Sequence, residues 1–314
     1  LHVGYPKCGS TFLQNQYFVE ENGFHNLLVH APHEWREFIQ HELTTAHSVV
    51  YSGKAPQILD KNVLEKDVGL SNENIVVSPI DYPVLLDRWA GLFPETKVLI
   101  VTRGQLDLVY SWYLQLVLAG YSRDIDQFTR ELIWDTQGSI WGRMYFDRIV
   151  DFTTSRFESV KVIPYELMRD DYSKFIEELN SFFDRDEDEL TIKNKRYRSS
   201  PSDAMIFVMR CLNRLCPHGY GLSMMSVQPS YVVGVGREKY NGVDSQVESS
   251  RRKTIGKLAY KFGQIGQILP LGKSSRQKYH EKYGALFSDR FRDSNVRLGN
   301  LLGRDLSLFN YPGL

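Results

Sequence analysis

The stretch that most constrains this chain is its opening, Leu1-His-Val-Gly-Tyr-Pro-Lys-Cys-Gly-Ser-Thr11. A short apolar run, Leu1 to Val3, reads as a buried strand that breaks at Gly4. The chain then crosses a loop with Pro6, Lys7 and Gly9 and re-enters regular structure at Ser10 and Thr11. Strand, glycine-bearing loop and helix, in that order, gather backbone N–H groups at one point, and the new helix adds the positive end of its dipole. Lys7 brings a mobile cation to the same place. The natural occupant is a phosphate or a similar oxyanion. The plainer alternative is an ordinary βα turn, with Lys7 solvated and Ser10 serving only as an N-cap. A place at the C-terminal end of a strand favours the anion site, because open α/β sheets bind ligands there.

The loop is not that of a nucleoside triphosphatase. That motif reads G-x-x-x-x-G-K-[ST]. Gly4 and Gly9 have its separation, but Ser10 stands where the lysine belongs, and the lysine has moved inside the loop to Lys7. A triphosphatase also needs a magnesium-holding carboxylate at another strand end. The best later strand, Lys97 to Thr102, ends in Arg103 instead.

Arg103 opens a second constellation, Thr102-Arg-Gly-Gln-Leu-Asp-Leu-Val-Tyr-Ser-Trp-Tyr113. Ser111 lies eight residues beyond the arginine, about two turns into the next helix. An arginine fork takes two phosphate oxygens and a serine hydroxyl takes a third. The structural alternative pairs Arg103 with Asp107 and leaves Ser111 to pack.

Both stretches resemble the donor-binding motifs of sulfotransferases that use 3′-phosphoadenosine 5′-phosphosulfate (PAPS). The family's 5′ loop reads roughly P-K-x-G-[ST]-[ST]-x-L, and Pro6, Lys7, Gly9, Ser10, Thr11 and Leu13 match it. Its 3′-phosphate motif reads R-[ND]-x-x-[DE]-x-x-x-S-x-[YWF], and Arg103, Asp107, Ser111 and Tyr113 stand at the matching spacings. Gly104 departs from the usual Asn or Asp. A softer match, Val160 to Asp170, resembles the family's strand followed by Y-E-D-[LM], where the tyrosine lies by the adenine. The run Phe287 to Asn295, with Leu298 and Leu301 to Gly303, resembles the last helix of bacterial and heparan-type members.

The resemblance implies in-line transfer of a sulfuryl group to an oxygen or amine, with no metal and with 3′-phosphoadenosine 5′-phosphate (PAP) as product. It implies a donor-binding set of Lys7, Cys8, Gly9, Ser10, Thr11, Phe12, Arg103, Ser111 and Tyr165. In it Lys7 neutralises the bridging oxygen, and the N–H groups of residues 8 to 11 take the 5′-phosphate. A general base should deprotonate the acceptor. The family places a His or Glu just beyond a later strand or after the first helix. Here the strand reads Asn74 to Ser78 and continues Pro-Ile-Asp81, so Asp81 is the nearest acid, with His33 and Glu34 as rivals. Taken singly, each of the three reads more readily as a surface or capping residue than as the base.

The rest of the chain fits a large α/β body. Apolar strands at 74–78, 97–102 and 159–164, separated by helices, imply a parallel sheet covered on both faces. The expected fold is α/β, a three-layer α/β/α arrangement with a central parallel sheet and a helical C-terminal region. It is read as one domain over 1–314, with a donor-binding body at 1–185 and acceptor or lid elements at 186–314. Helices are expected at 83–93, 105–119, 125–134, 143–156, 171–183, 202–215 and 277–302, a strand within 24–30, a short helix at 60–67, and a long loop or flap at 217–250. With 38 basic and 38 acidic residues the chain has no net charge, so no nucleic-acid or membrane partner is expected. No run reaches the roughly 20 apolar residues of a membrane helix. Cys8, Cys211 and Cys216 form no disulfide framework and read as reduced, with the latter two sharing a helix, which points to a cytoplasmic setting. The histidines reach no zinc spacing. The expected acceptor is a hydroxyl on a carbohydrate or a small natural product, with Trp35, Tyr121, Trp134 and Trp141 as stacking candidates. A nucleoside or sugar kinase and a non-catalytic nucleotide-binding module stand as alternatives.

Overall fold

The computed structural model describes residues 1–5, 7–26, 34, 67–69, 71–72, 81–134, 142–186, 201–215 and 274–314. The chain divides into two compact units. Residues Leu1–Gln105, Gly142–Tyr197 and Ser288–Leu314 form the first, and Leu106–Trp141 with Arg198–Phe287 form the second.

The first unit is built on a parallel sheet, which makes the fold α/β. Its strands are β1 (His2–Gly4), β4 (Ser71–Asn72), β5 (Val98–Thr102) and β6 (Val160–Pro164), in the order β4-β1-β5-β6. Every pairing in this sheet is parallel. The five residues of β5 are all buried, as an unbroken apolar strand in a parallel sheet must be. The strand expected at 74–78 lies outside the described residues, and the described neighbour of β1 is Ser71–Asn72. A separate pair joins β2 (Phe24–Asn26) to β3 (Asp67–Gly69). Asp67 therefore opens a strand rather than closing a helix; Val68 next to it is β-branched, which suits that conformation.

Register decides what meets at the sheet's C-terminal edge. Gly4 aligns with Val101, and Thr102 aligns with Pro164. The next residues out are Tyr5 and the loop after it, Arg103, and Tyr165. Three segments far apart in sequence thus leave the sheet side by side.

The helix after the loop is not uniform. It runs as α1 (Ser10–Phe12) and then widens into a π-turn at Leu13–Tyr17, closed by a bond from Phe18 N to Leu13 O at 2.7 Å. One extra residue per turn lets the consecutive Tyr17 and Phe18 both point inward. Their rings lie 5.2 Å apart and both pack on Phe24 and Phe183. The Tyr17 hydroxyl donates to Asn180 Oδ1 at 3.1 Å. A π-bulge of this sort is common near functional sites.

Further helices of the first unit are α2 (Asp81–Leu92), α5 (Phe146–Thr154), α6 (Tyr165–Asp170) and α7 (Tyr172–Phe183). The second unit holds most of α3 (Gln105–Leu118), α4 (Ile125–Trp134) and α8 (Asp203–Leu215). The 28-residue α9 (Ser275–Leu302) contributes to both. It buries Tyr279, Tyr283, Phe287, Phe291, Asn295 and Leu298, a three-to-four-residue spacing that gives one inward stripe. Cys216 lies outside the described residues, as does the stretch 217–250; neither Cys8 nor Cys211 is in a disulfide among the described residues.

In the second unit Asp107, 4% exposed, takes both Arg276 and His280. Its carboxylate is thereby tied to α9. Asp126 accepts from Lys282 and Tyr283 in the same way, and these contacts hold its carboxyl below the usual range against the opposing effect of burial. Tyr121 packs on Tyr113 and Phe128 and donates to Glu131. Its ring is half-buried against the buried rings of Tyr113 and Phe128. The side chains of Trp35, Trp134 and Trp141 lie outside the described set.

Candidate functional site: the C-terminal edge of the parallel sheet

The loop after β1 turns sharply. Cys8 N donates to Tyr5 O at 3.2 Å, closing a turn over residues 5 to 8. Lys7 adopts φ 71° and Gly9 φ 83°, so two of three successive residues are left-handed. Glycine bears this at little cost, whereas for lysine it costs about 1–2 kcal/mol. Strain of this kind persists where surrounding structure holds it and collects at ligand-binding turns.

Gly9 is required for space as well as for conformation. A Cβ there would lie 3.0 Å from Met168 Sδ and 3.4 Å from two ring carbons of Tyr165. Its carbonyl starts the helix by accepting from Phe12 N at 2.9 Å and Leu13 N at 3.1 Å. The opening residues of a helix have no intrahelical acceptor for their N–H groups. Among the described residues no backbone acceptor is found for Gly9, Ser10 or Thr11. Cys8 is different, because its N–H is spent on Tyr5. Of the N–H groups expected at residues 8 to 11, those of 9 to 11 are the ones without a described backbone acceptor. The Ser10 hydroxyl reaches Tyr5 O only at 3.5 Å and is buried, and Cys8 and Phe12 are buried beside it.

Arg103 connects the two motifs. Its Nη1 donates to Lys7 O at 2.7 Å, and its guanidinium stands 4.6 Å from the centre of the Tyr165 ring. The stacking follows from register: with Thr102 opposite Pro164, the next residue on each strand must be a neighbour. A cation over an aromatic face contributes about 0.5–2 kcal/mol. Arg103 Nε is buried and has no hydrogen-bond partner among the described residues. A buried, unpaired guanidinium donor costs about 1–3 kcal/mol or more, and an oxygen ligand would relieve it. Tyr165 thus meets both the Arg103 guanidinium and the space at Gly9.

The residue after Arg103 is held from two directions. Gly104 N donates to Glu166 Oε1 at 3.0 Å. A Cβ at 104 would come within 3.2 Å of Asn310 O and 3.6 Å of Phe309 O. The departure from Asn or Asp therefore has a physical cause: the chain's last turn, Leu306–Phe309 and the residues after it, lies directly over this position. Thr102 Oγ1 shares a hydrogen bond with the Tyr311 hydroxyl at 2.8 Å. Tyr311 is buried, and burial pushes its phenol well above the ordinary range, so it stays protonated. Glu166 and Tyr311 were given no role by sequence reasoning. Glu166 carried a faint signal, a carboxylate in the first turn after an apolar strand; Tyr311 carried none.

Ser111 lies half-buried on α3, in the second unit. Asp81 is the first residue of α2, Glu34 is exposed, and His33 is outside the described residues, as is Pro6. No group of three or more His, Cys, Asp or Glu side chains able to hold a metal occurs among the described residues. No described helix is long and apolar enough to cross a membrane.

A parallel sheet whose C-terminal edge carries a tight loop with Lys7, a half-satisfied arginine and an aromatic face is an α/β domain with the makings of an oxyanion site. The sulfotransferase domain profile matches residues 1–202, and the chain belongs to that family. Sulfuryl transfer is the activity that membership carries. A crystal structure of a sulfotransferase from Alicyclobacillus acidocaldarius is similar at 17% identity, covering 71% of this chain and 96% of that one, with a TM-score of 0.43. No curated protein matches the chain.

Proposed function

We propose that the protein transfers a sulfuryl group from PAPS to a hydroxyl, or an amine, of a carbohydrate or small-molecule acceptor. The observation that carries the reading is Arg103. One of its donors reaches the carbonyl of Lys7, another is buried and unpaired among the described residues, and its plane faces Tyr165. A cation so placed fits a phosphate beyond the one the loop would take, as a nucleotide phosphorylated at both its 3′ and 5′ positions presents. Gly9 itself, left-handed at φ 83° with Met168 and Tyr165 close by, keeps the loop backbone free of a side chain, as close approach of a phosphate to its N–H groups requires.

When bound, PAPS supplies an activated sulfuryl group on its 5′-phosphate. The N–H groups of Cys8, Gly9, Ser10 and Thr11 would hold that phosphate, with the short helix start behind them. Lys7 would neutralise the bridging oxygen as charge develops there, and electrostatic preorganisation of this type is commonly the largest catalytic contribution. Arg103 and Ser111 would hold the 3′-phosphate, and Tyr165 would fix the plane of Arg103 beside the adenine. Asp81 and His33 remain the proposed bases, with Glu34 as their rival.

Thermal shift tests the donor. PAP should stabilise the protein, and AMP or ATP with magnesium should do so far less. A shift confined to ATP with magnesium sinks the donor assignment in favour of a kinase. Transfer of labelled sulfate from PAPS to a panel of glycans and small alcohols then tests the acceptor class.

A further inference from the structure

The geometry points to the chain's C-terminal segment, through Tyr311, Asn295 and the last turn, as the device that positions Arg103 and so sets recognition of the donor's 3′-phosphate. This rests on the donor reading above and goes beyond it, because it assigns a function to residues remote from the loop in sequence.

Arg103 has no regular structure to fix it, since β5 ends at Thr102 and α3 begins at Gln105. Three of the four residues from 102 to 105 are nevertheless tied to the C-terminal segment. Thr102 is bonded to Tyr311 at 2.8 Å. Gly104 lies under the carbonyls of Phe309 and Asn310. Gln105 exchanges two hydrogen bonds with Asn295, at 2.7 and 3.2 Å. Asn295 also donates to Pro312 O at 2.9 Å, which locks α9 to the tail that follows it. Gln105 and Asn295 are fully buried. Glu166 closes the set from β6's side by accepting from Gly104 N.

The tail in turn is pinned. Gly313 adopts φ 87°, and a Cβ there would lie within 2.9 Å of backbone at Ser288 and Arg292. Gly303, Asn310 and Gly313 are all left-handed, so the chain reverses repeatedly to return over β5. Arg103 makes no hydrogen bond to these residues' side chains in the described contacts, although its charge acts on the buried Tyr311 phenol; its own close contacts are Lys7 and Tyr165. Tyr311 and Asn295 are therefore positioning residues. They act on the peptide plane that aims the guanidinium, and geometric placement of a charged fork governs how well it holds a phosphate.

The test compares the full-length wild type with Tyr311→Phe, which removes one oxygen, and Gly104→Ala, which adds one methyl under the tail. Affinities for PAP and for AMP, which lacks the 3′-phosphate, are measured by calorimetry, with thermal unfolding to confirm the fold. Both variants should lose about five-fold in PAP affinity, the scale of one displaced hydrogen bond, with AMP affinity unchanged within about two-fold. With PAPS as donor, KM should rise while kcat holds. A wild type that prefers PAP, and variants that keep the wild-type PAP-to-AMP ratio, overturn the inference alone. A wild type with no preference for PAP over AMP overturns the donor reading and the inference with it. A general loss of stability would lower both affinities together and leave the ratio intact, which also counts against a positioning role.

Discussion

Gly9→Ala is the most direct probe of the loop. Two costs follow from the geometry. At φ 83° an alanine sits in left-handed backbone, a cost of about 1–2 kcal/mol. Its Cβ then lies 3.0 Å from Met168 Sδ and 3.4 Å from the Tyr165 ring. The methionine can swing away, but the tyrosine is backed by Arg103, so the ring or the loop must move by a few tenths of an ångström. Fewer unfolded conformations return about 0.4–1 kcal/mol. The balance is a loss of about 1–2 kcal/mol, or roughly 1.5–3 °C in Tm for a chain of this size. Gly284→Ala in α9 is the control. Nothing lies within 4 Å of a Cβ there, so it should gain about 0.5–1 kcal/mol from helix propensity alone. Differential scanning calorimetry on the two variants gives opposite signs if the reasoning holds. Gly9→Ala should also weaken PAP, because Tyr165 and Arg103 shift with it. An alanine at 9 that unfolds within about a degree of wild type, with PAP affinity intact, refutes the account of a loop that tolerates no side chain.

Three other outcomes are expected. Arg103→Lys keeps the charge but loses the planar fork and most of the stacking on Tyr165; PAP affinity should fall about ten-fold or more while AMP affinity stays level, as read by calorimetry. Lys7→Ala should lower kcat by about 100-fold or more and PAP affinity only a few-fold, in a steady-state and binding comparison; a larger effect on binding than on turnover would reverse the role assigned to it. Burial pushes the His2 imidazole from 6.5 down to about 3. The unfolded chain then binds a proton that the folded chain refuses between those values, so stability present above pH 6.5 is lost as pH falls towards 3. The slope is about 1.4 kcal/mol per pH unit. His2→Leu should remove that component in urea titrations run from pH 7 to pH 4.

How much of this was legible in the sequence depended on whether the cause was local. The parallel sheet followed from one unbroken apolar strand, Val98 to Thr102, and its position after a helix. The oxyanion loop followed from Lys7, Gly9 and the two hydroxyls. That Arg103 should meet Tyr165 could not be read until register was known, because a shift of one residue would have separated them. The π-turn at Leu13–Tyr17 was invisible because it differs from an α-helix by a single residue of period, and the aromatic cluster of Tyr17, Phe18, Phe24 and Phe183 decides it. Gly104 read as a minor departure. Its cause is the tail, some 200 residues away in sequence, and nothing in the composition of Asn310 or Tyr311 announces that contact. The short turn after α9 was legible only as a place where a helix ends.

One detail of the loop bears on how such a protein could change over time. Arg103 grips the peptide carbonyl of residue 7 and not its side chain. The clasp between the two strand ends is consequently blind to which amino acid stands there. An unbranched side chain bears a left-handed penalty close to lysine's, and Asn or Asp a smaller one, so position 7 can accept such residues without losing the clasp. The scaffold and the chemistry are inherited separately at this site: a descendant could lose the ammonium group, keep the nucleotide, and persist as a binder, with nothing else in the loop required to follow.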